Sequence, residues 1–233
     1  MFLSIVFPIF NEYENLTALL QDWDQKLRLI ENLNYEFVLV EDGSNDGTKE
    51  LIKDLEKIYK IKNLSQITKR GYTKAVLDGI NNSDGDYILC TDSDNQIKVE
   101  SLINNLQNFP LDDQFLIGYR NPRNDPFNRI IYSKLFKLLH DVLFNSKLKD
   151  PSCPFVIGKT NTYKKLPANL LNQMKEGFWW GFVAVCIKKN IKIYETPITH
   201  YKRISGEAGY KIIQLPFIIL RNIKGLLKIK FSK

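Results

Sequence analysis

Short apolar runs alternate along the whole chain with longer stretches whose apolar residues recur at helical spacing. The runs Leu3–Ile9, Tyr35–Val40, Leu64–Thr68, Asp86–Thr91, Gln114–Gly118, Cys153–Ile157 and Ile191–Thr196 predict strands. The periodic stretches Glu14–Ile30, Gly47–Tyr59, Thr73–Asn81, Val99–Asn108, Asn128–Phe144, Asn161–Asn172 and Trp179–Lys189 predict helices. Asp46 precedes the second helix as its cap, with Glu50 in the first turns, and Asn11 with Glu14 forms a capping box for the first. Regular β-α alternation implies an α/β domain with a largely parallel sheet and helices on both faces. In such sheets ligands sit at the carboxyl ends of the strands. The polar clusters Asn11-Glu12, Glu41-Asp42-Gly43, Arg70-Gly71 and Asp92-Ser93-Asp94 all fall at those ends.

At 233 residues the chain suits one domain, or one with an appendage. Cys90, Cys153 and Cys186 are far apart, which argues against a zinc site or a disulfide framework and fits a reducing cytosol. The apolar start, MFLSIVFPIF, lacks a basic leader and a small-residue cleavage site and reads as a strand. No stretch approaches the roughly 18 apolar residues that span a bilayer; Ile212 to Leu220 is broken by Pro216 and stopped by Arg221.

Charge changes the picture more. The net charge is +7, from 33 basic and 26 acidic residues. Eight of the basic residues and one acid, Glu207, lie between Lys202 and Lys233, so positions 1–201 balance and the tail carries the excess. That placement points away from nucleic acid and toward an anionic membrane surface. On a helical projection Ile219, Ile223, Leu226 and Leu227 share one face, beside a stripe of Arg221, Lys224 and Lys228. This predicts a basic amphipathic C-terminal helix lying in a membrane plane; a terminal helix docked on the domain is the other reading. The expected organisation is a domain over 1–207 with a tail over 208–233, cytoplasmic and peripheral on the inner face of a membrane.

The densest chemistry is in DYILCTDSDNQ. A buried strand ends there in Asp92, Asp94 and Gln96, alternate residues that project to one side and can converge as oxygen ligands for Mg²⁺ or Mn²⁺. The same segment also reads as a strand followed by an Asx turn.

Four loops in order, FPIFNEYENL, VLVEDGSNDGT, KRGYTKAVLDGI and SDGDYILCTDSDNQ, resemble those of the family 2 glycosyltransferases of the GT-A fold. The chain is most similar to the dolichyl- or polyprenyl-phosphate sugar synthases among them, from Phe2 to about Glu207. The resemblance implies a Rossmann-like GT-A sheet whose Asp92, Asp94 and Gln96 hold Mg²⁺ or Mn²⁺ on the diphosphate of a nucleotide-sugar donor. It places Pro8, Phe10, Glu12, Glu41, Asp42, Gly71, Asp92 and Ser93 around that donor. Phe10 is set to pack on the base and Glu12 to accept from base or ribose. Of Glu41 and Asp42, one would read the base and the other hold the turn at Gly43; the residues do not say which. Lys69 and Thr73 stand where the family has Asn and Gly, and Pro154 and Val156 where it has Gly and a basic residue.

Arg120, Arg129 and Ser133 match positions that the resemblance assigns to an acceptor phosphate. Arg129 and Ser133, four apart on a predicted helix, can reach one anion. Arg203, in the loop after the last strand, is a further candidate for binding phosphate. The implied reaction is inverting transfer of a sugar to a polyprenyl-phosphate-type lipid, with Asp94 and the arginines in the catalytic centre. A phosphate oxygen is already ionised and needs no general base. A sugar-hydroxyl acceptor would need one, and Asp150 or Glu176 would serve. His140 reads as packing, and His200, at a strand end, as a ligand, a base or a structural group. Trp179 and Trp180 read as core, or as the border of a lipid or sugar. A nucleotidylyltransferase should carry a Gly-rich loop after its first strand, which FPIFNEYE lacks. A non-catalytic membrane-associated nucleotide-binding module need not keep three ligands at this spacing.

Overall fold

The run from Leu3 to Ile9 is apolar but for Ser4 because its strand is covered on both sides; the buried Ser4 hydroxyl donates to Glu36 at 2.6 Å. The computed structural model describes residues 1–125, 127–202 and 215–232. In it β1 (Phe2–Ile9) lies inside a sheet with β2 (Asn34–Glu41), β3 (Ile61–Asn63), β4 (Tyr87–Thr91), β5 (Gln114–Arg120), β6 (Phe155–Lys159) and β7 (Lys192–Ile198). The order across it is β3-β2-β1-β4-β6-β5-β7, and only β6 runs against the others. Around it lie α1 (Tyr13–Leu27), α2 (Thr48–Leu55), α3 (Tyr72–Asn82), α4 (Glu100–Ile103), α5 (Phe127–Phe144), α6 (Thr160–Lys164), α7 (Ala168–Leu171), α8 (Phe178–Lys188) and α9 (Leu215–Phe231).

Two neighbours on β1 show how the layers form. Phe7 packs edge-on against Trp23 of α1, with centroids 5.3 Å apart. Val6 points the other way, to α3, where a Cβ on Gly79 would come within 2.3 Å of its Cγ1. Successive strand residues face opposite sides, so α1 and α3 cover opposite faces. Farther along, Phe182 of α8 packs on Phe115 of β5 at 4.9 Å.

Several elements depart from expectation. The third strand forms at Ile61–Asn63 rather than Leu64–Thr68, because Ile67 is 93% exposed and gives that stretch nothing to bury. The amides of Leu64 and Gln66 still donate to the carbonyls of Leu39 and Glu41 at 2.9 Å each, so ragged pairing continues. The sixth strand starts after Pro154, which has no N–H for the ladder. Pro167 splits the expected 161–172 helix into α6 and α7, and the 99–108 helix reduces to α4 plus a single 3₁₀ turn. Asn11 makes no capping box. Its φ of 56° turns it to the next loop, where its N–H donates to Ser44 Oγ and its Oδ1 accepts from Asn45, both at 3.0 Å. Gly47 rather than Asp46 is the cap residue of α2, and Asp46 ties both helix starts together by accepting from Tyr13 and Thr48 amides at 3.1 and 3.0 Å.

The tail helix α9 is docked. Ile218, Asn222, Leu226 and Ile229 are buried against the body, and a Cβ on Gly225 would stand 2.7 Å from the Gln173 carbonyl. Leu226 therefore faces inward, not onto a shared outer face with Leu227 as the projection suggested. Among its described residues α9 exposes the apolar side chains of Phe217, Leu220, Leu227 and Phe231. Neighbouring α5 exposes a matching stripe, Ile131, Leu135, Leu138 and Val142. Among the described residues no helix is long and apolar enough to cross a membrane.

Candidate active site

The tips of β1, β2 and β4 are joined by their own loops. Asp42, at the end of β2, accepts from two consecutive amides, Arg70 and Gly71, at 2.7 Å each. It fixes the loop that leads into α3. Glu41 holds the turn by accepting from the Ser44 amide, and its Oε2 is buried with no hydrogen-bond partner among the described residues. Gly43, at φ 75°, lets this turn lie on the neighbouring loop: a Cβ there would meet Lys69 N and Thr68 C at 2.7 Å. Gly71, at φ 98°, is different, since a Cβ would meet nothing within 4 Å and point into open space over the tips. Lys69 Nζ sits 3.4 Å from the centre of the Phe10 ring. Glu12 is buried, accepts from Asn15 Nδ2 at 2.6 Å, and has its amide held by Thr48 Oγ1 at 3.0 Å.

At the tip of β4 the alternating residues take distinct roles. Ser93 is buried, and its hydroxyl donates to the Pro8 carbonyl at 2.9 Å, tying β4 to β1. Asp94 Oδ1 accepts from the Gln96 amide at 3.2 Å, so the Asx turn is present. Gln96 Nε2 donates to the Tyr201 carbonyl at 2.9 Å, and the Tyr201 amide donates to the Gln96 carbonyl at 2.8 Å. Asp92 Oδ1 accepts from the Tyr72 hydroxyl at 2.7 Å, which in turn accepts from Trp179 Nε1 at 2.9 Å. Burial and the neighbouring Asp94 charge push the Asp92 carboxyl up to about 7; Tyr72, Arg120 and Arg129 pull the other way.

Those arginines form the second half of the rim. Asp150, just ahead of β6, receives Arg120 as a fork, from Nε at 2.7 Å and from NH2 at 2.9 Å, and NH2 also donates to Ser152 Oγ at 2.7 Å. Both members are largely buried. Burial works against each charge, yet the pairing raises the Arg120 pKa and holds Asp150 down at about 2. Arg120 is thus locked to Asp150 and not extended as an open phosphate ligand. Arg129 and Ser133 each meet a different neighbour. Ser133 Oγ accepts from Arg123 at 2.9 Å, and Arg129 lies 3.4 Å from Asp125. Asp125 is the hub, with Arg123 Nε at 2.6 Å and Arg120 at 3.6 Å, and these partners outweigh its burial to keep its pKa low. His200 lies beside them, its carbonyl accepting from Asn124 Nδ2 at 2.6 Å; burial, then Arg120, lower its pKa to about 4. Arg203 lies outside the described residues.

Of the other groups, His140 is core, with Nε2 on the Trp180 carbonyl at 3.1 Å and burial lowering its pKa to about 4. Trp179 and Trp180 are buried. Tyr72, Arg123 and Asp125 were not singled out from sequence. The segment RNPRND carries a signal for the last two, in its charge density beside Arg120; nothing in KRGYTK marks its tyrosine.

The rim tests well for a divalent cation. Burial and then the Asp94 charge make Asp92 resist ionisation, a cost that a dication beside them would offset. Among the described residues no three His, Cys, Asp or Glu groups form a cage. Asp92, Asp94 and the Gln96 amide oxygen suit an ion such as Mg²⁺, which takes one or two carboxylates and completes its shell from substrate phosphates.

A parallel sheet with one reversed strand and a carboxylate pair at its carboxyl rim defines a GT-A fold. The chain belongs to glycosyl transferase family 2, whose sequence model matches residues 4–168. It is 28% identical over 98% of its length to a dolichol-phosphate mannosyltransferase of Pyrococcus furiosus. It is 27% identical over 91% to an undecaprenyl-phosphate 4-deoxy-4-formamido-L-arabinose transferase of Aeromonas hydrophila. The chain spans 64% of the length of each of these curated relatives. Among solved structures it is similar to the glucosyl-3-phosphoglycerate synthase of Mycobacterium tuberculosis in complex with Mn²⁺, uridine diphosphate and phosphoglyceric acid. That likeness, one of fold, has a TM-score of 0.68 at 14% identity, covering 99% of this chain and 79% of the other.

Proposed function

We propose that this protein is an inverting glycosyltransferase that moves a sugar from a nucleotide-diphosphate sugar to a polyprenyl-phosphate lipid, with Mg²⁺ or Mn²⁺. The observation that carries the reading is the presence, on one rim, of a crowded Asp92–Asp94 pair and an arginine cluster, Arg120, Arg123 and Arg129. The first suits a cation-bound diphosphate and the second a phosphate-bearing acceptor. The names of the curated relatives favour the same acceptor class.

Asp92, Asp94 and Gln96 hold the cation in this reading. When bound, the cation neutralises charge on the departing nucleoside diphosphate. The nucleotide lies over Gly71, where no Cβ intrudes. Its base falls to Phe10, Glu12 and Glu41; a buried carboxylate oxygen without a donor is costly, and a base N–H would satisfy Glu41 Oε2. Both oxygens of Asp42 are taken by backbone amides, so its part is to shape the loop. Arg129 and Arg123 bind the acceptor phosphate, with Ser133 held by Arg123 and Arg120 fixed beneath by Asp150.

The acceptor oxygen attacks without a general base. Both groups that a hydroxyl acceptor would need as base are engaged: Asp150 stays ionised down to about pH 2 in its pair with Arg120, and Glu176 lies 2.7 Å from Arg221. An anionic membrane surface, on the cytoplasmic side, meets the exposed stripes of α5 and α9, flanked by Lys224 and Lys228.

The test is release of nucleoside diphosphate across common sugar donors, with and without polyprenyl phosphate, and with and without chelator. Release that needs both the lipid phosphate and a divalent cation is expected. Release that instead follows a sugar-hydroxyl acceptor overturns the proposal.

A further inference from the structure

We infer that Tyr72 is a positioning residue for the cation site, set in turn by Trp179. The inference rests on the reading above of Asp92 and Asp94 as carboxylates that hold a divalent cation. Tyr72 opens α3 directly after Gly71, whose amide Asp42 holds at 2.7 Å, so the residue starts from a fixed backbone. From there its hydroxyl reaches the tip of β4 and lies 2.7 Å from Asp92 Oδ1. The indole nitrogen of Trp179 lies 2.9 Å from the same hydroxyl.

The direction of this relay follows from donor chemistry. An indole N–H can only donate, whereas a phenol has one proton and also accepts. The Tyr72 oxygen therefore accepts from Trp179, and its single proton points at Asp92. An isolated hydroxyl turns to suit its surroundings; this one has its rotor fixed. Trp179 is itself wedged between Phe178 and Phe182, with centroids at 4.9 and 5.4 Å. Asp92 Oδ1 is thereby committed, and Oδ2 accepts no hydrogen bond among the described residues. The relay selects which carboxylate oxygen faces the rim.

A comparison within the fold separates this from ordinary packing. Tyr163, which is buried where Tyr72 is only partly so, satisfies its hydroxyl on a backbone carbonyl, that of Val156 at 2.9 Å. Tyr72 instead donates to an ionisable side chain at the strand rim, as partners of metal ligands do.

The test is Mn²⁺ binding to the full-length protein, followed by loss of the free-ion electron paramagnetic resonance signal. It is run with uridine, guanosine, cytidine and deoxythymidine diphosphates. Tyr72→Phe, which keeps the ring, is expected to raise the Mn²⁺ dissociation constant roughly ten- to hundredfold, the usual loss when a ligand's supporting hydrogen bond is removed. Trp179→Phe keeps the Tyr72 hydroxyl but frees its rotor, and should raise the constant by a smaller factor. Thermal unfolding of each variant is measured alongside. An unchanged Mn²⁺ constant in Tyr72→Phe, with or without a lower unfolding midpoint, makes Tyr72 a packing residue and overturns the inference. An unchanged constant in Trp179→Phe removes Trp179 from it. If the wild type binds Mn²⁺ with none of the four nucleotides, the cation reading itself fails and this inference with it.

Discussion

Replacing Asp150 by Asn tests how much the Arg120 pair stabilises the arginine half of the rim. The substitution keeps the shape and one acceptor oxygen but removes the charge that faces the Arg120 fork. Pairing moves the Asp150 pKa from 3.8 to about 2. A shift of that size corresponds to about 2–3 kcal/mol of stability at neutral pH, at the low end of the ~3–5 kcal/mol typical of breaking a buried pair. Asp125, 3.6 Å from Arg120, remains as a partial partner, which argues for the lower figure. For a domain of this size each kcal/mol moves the midpoint by about 2–4 °C, so Asp150→Asn should melt roughly 5–10 °C below wild type at pH 7 by circular dichroism. The sign with pH follows from the depressed pKa. The contribution is complete above the unfolded value of 3.8 and is lost as pH falls through about 2, so the gap between the two proteins should narrow below pH 4. A variant that melts within a degree of wild type at pH 7 would refute the reasoning.

Asp94→Ala should abolish transfer while leaving thermal unfolding nearly unchanged, because the residue sits at a strand tip; full activity in excess chelator would sink the cation reading. Arg129→Ala should raise the acceptor KM or lower kcat roughly ten- to hundredfold, the worth of one charged hydrogen bond, and spare donor binding. Loss of nucleotide affinity with intact acceptor kinetics would reassign it. The two histidines should titrate by NMR near pH 4 rather than 6.5, since burial disfavours their charged forms. Each then withdraws stability as pH falls from about 6.5 toward 4, and a titration near 6.5 for either ring contradicts its burial. Leu220→Gln with Phe231→Gln should reduce flotation with anionic liposomes and leave melting unchanged. This is a cleaner probe than deleting the tail, which would uncover α8; equal flotation means that the stripe does not touch lipid.

The alternation of short apolar runs with helical periods was enough to anticipate the sheet, because buried parallel strands leave runs such as Leu3–Ile9, apolar but for Ser4. Edges were harder. β3 has only three residues and half-buried side chains, so the pattern drifted to Ile67, whose apolar side chain is in solvent. The direction of β6 left no trace in its residues, since a strand buried on both sides reads alike in either sense. In the site, Asp92, Asp94 and Gln96 stood out because their spacing is itself the signal. The partners of those groups did not. Tyr72 and Trp179 are 107 positions apart, and their hydrogen bond is a product of the fold. Arg120 stood out as a candidate, but its closed fork with Asp150 did not, since the two belong to different elements. In the tail, periodicity gave a helix with an apolar face. Only packing decided that Leu226 turns inward while Leu220 and Phe231 stay out.

The reversed strand has a consequence for how this protein can be altered. Strands that share one direction contribute to the rim only where the chain leaves them. β6 contributes where the chain enters, so Asp150 arrives beside Arg120 and their ion pair closes residues 121–149 into a detour that starts and returns at one point. The detour carries Arg123, Asp125, Arg129, Ser133 and the whole of α5, while the tips of β1, β2 and β4 stay outside it. Such a segment is a natural unit of exchange. On the function proposed above, a chimera that takes positions 121–149 from a family relative, with the clasp residues kept, should change acceptor preference without altering nucleotide affinity.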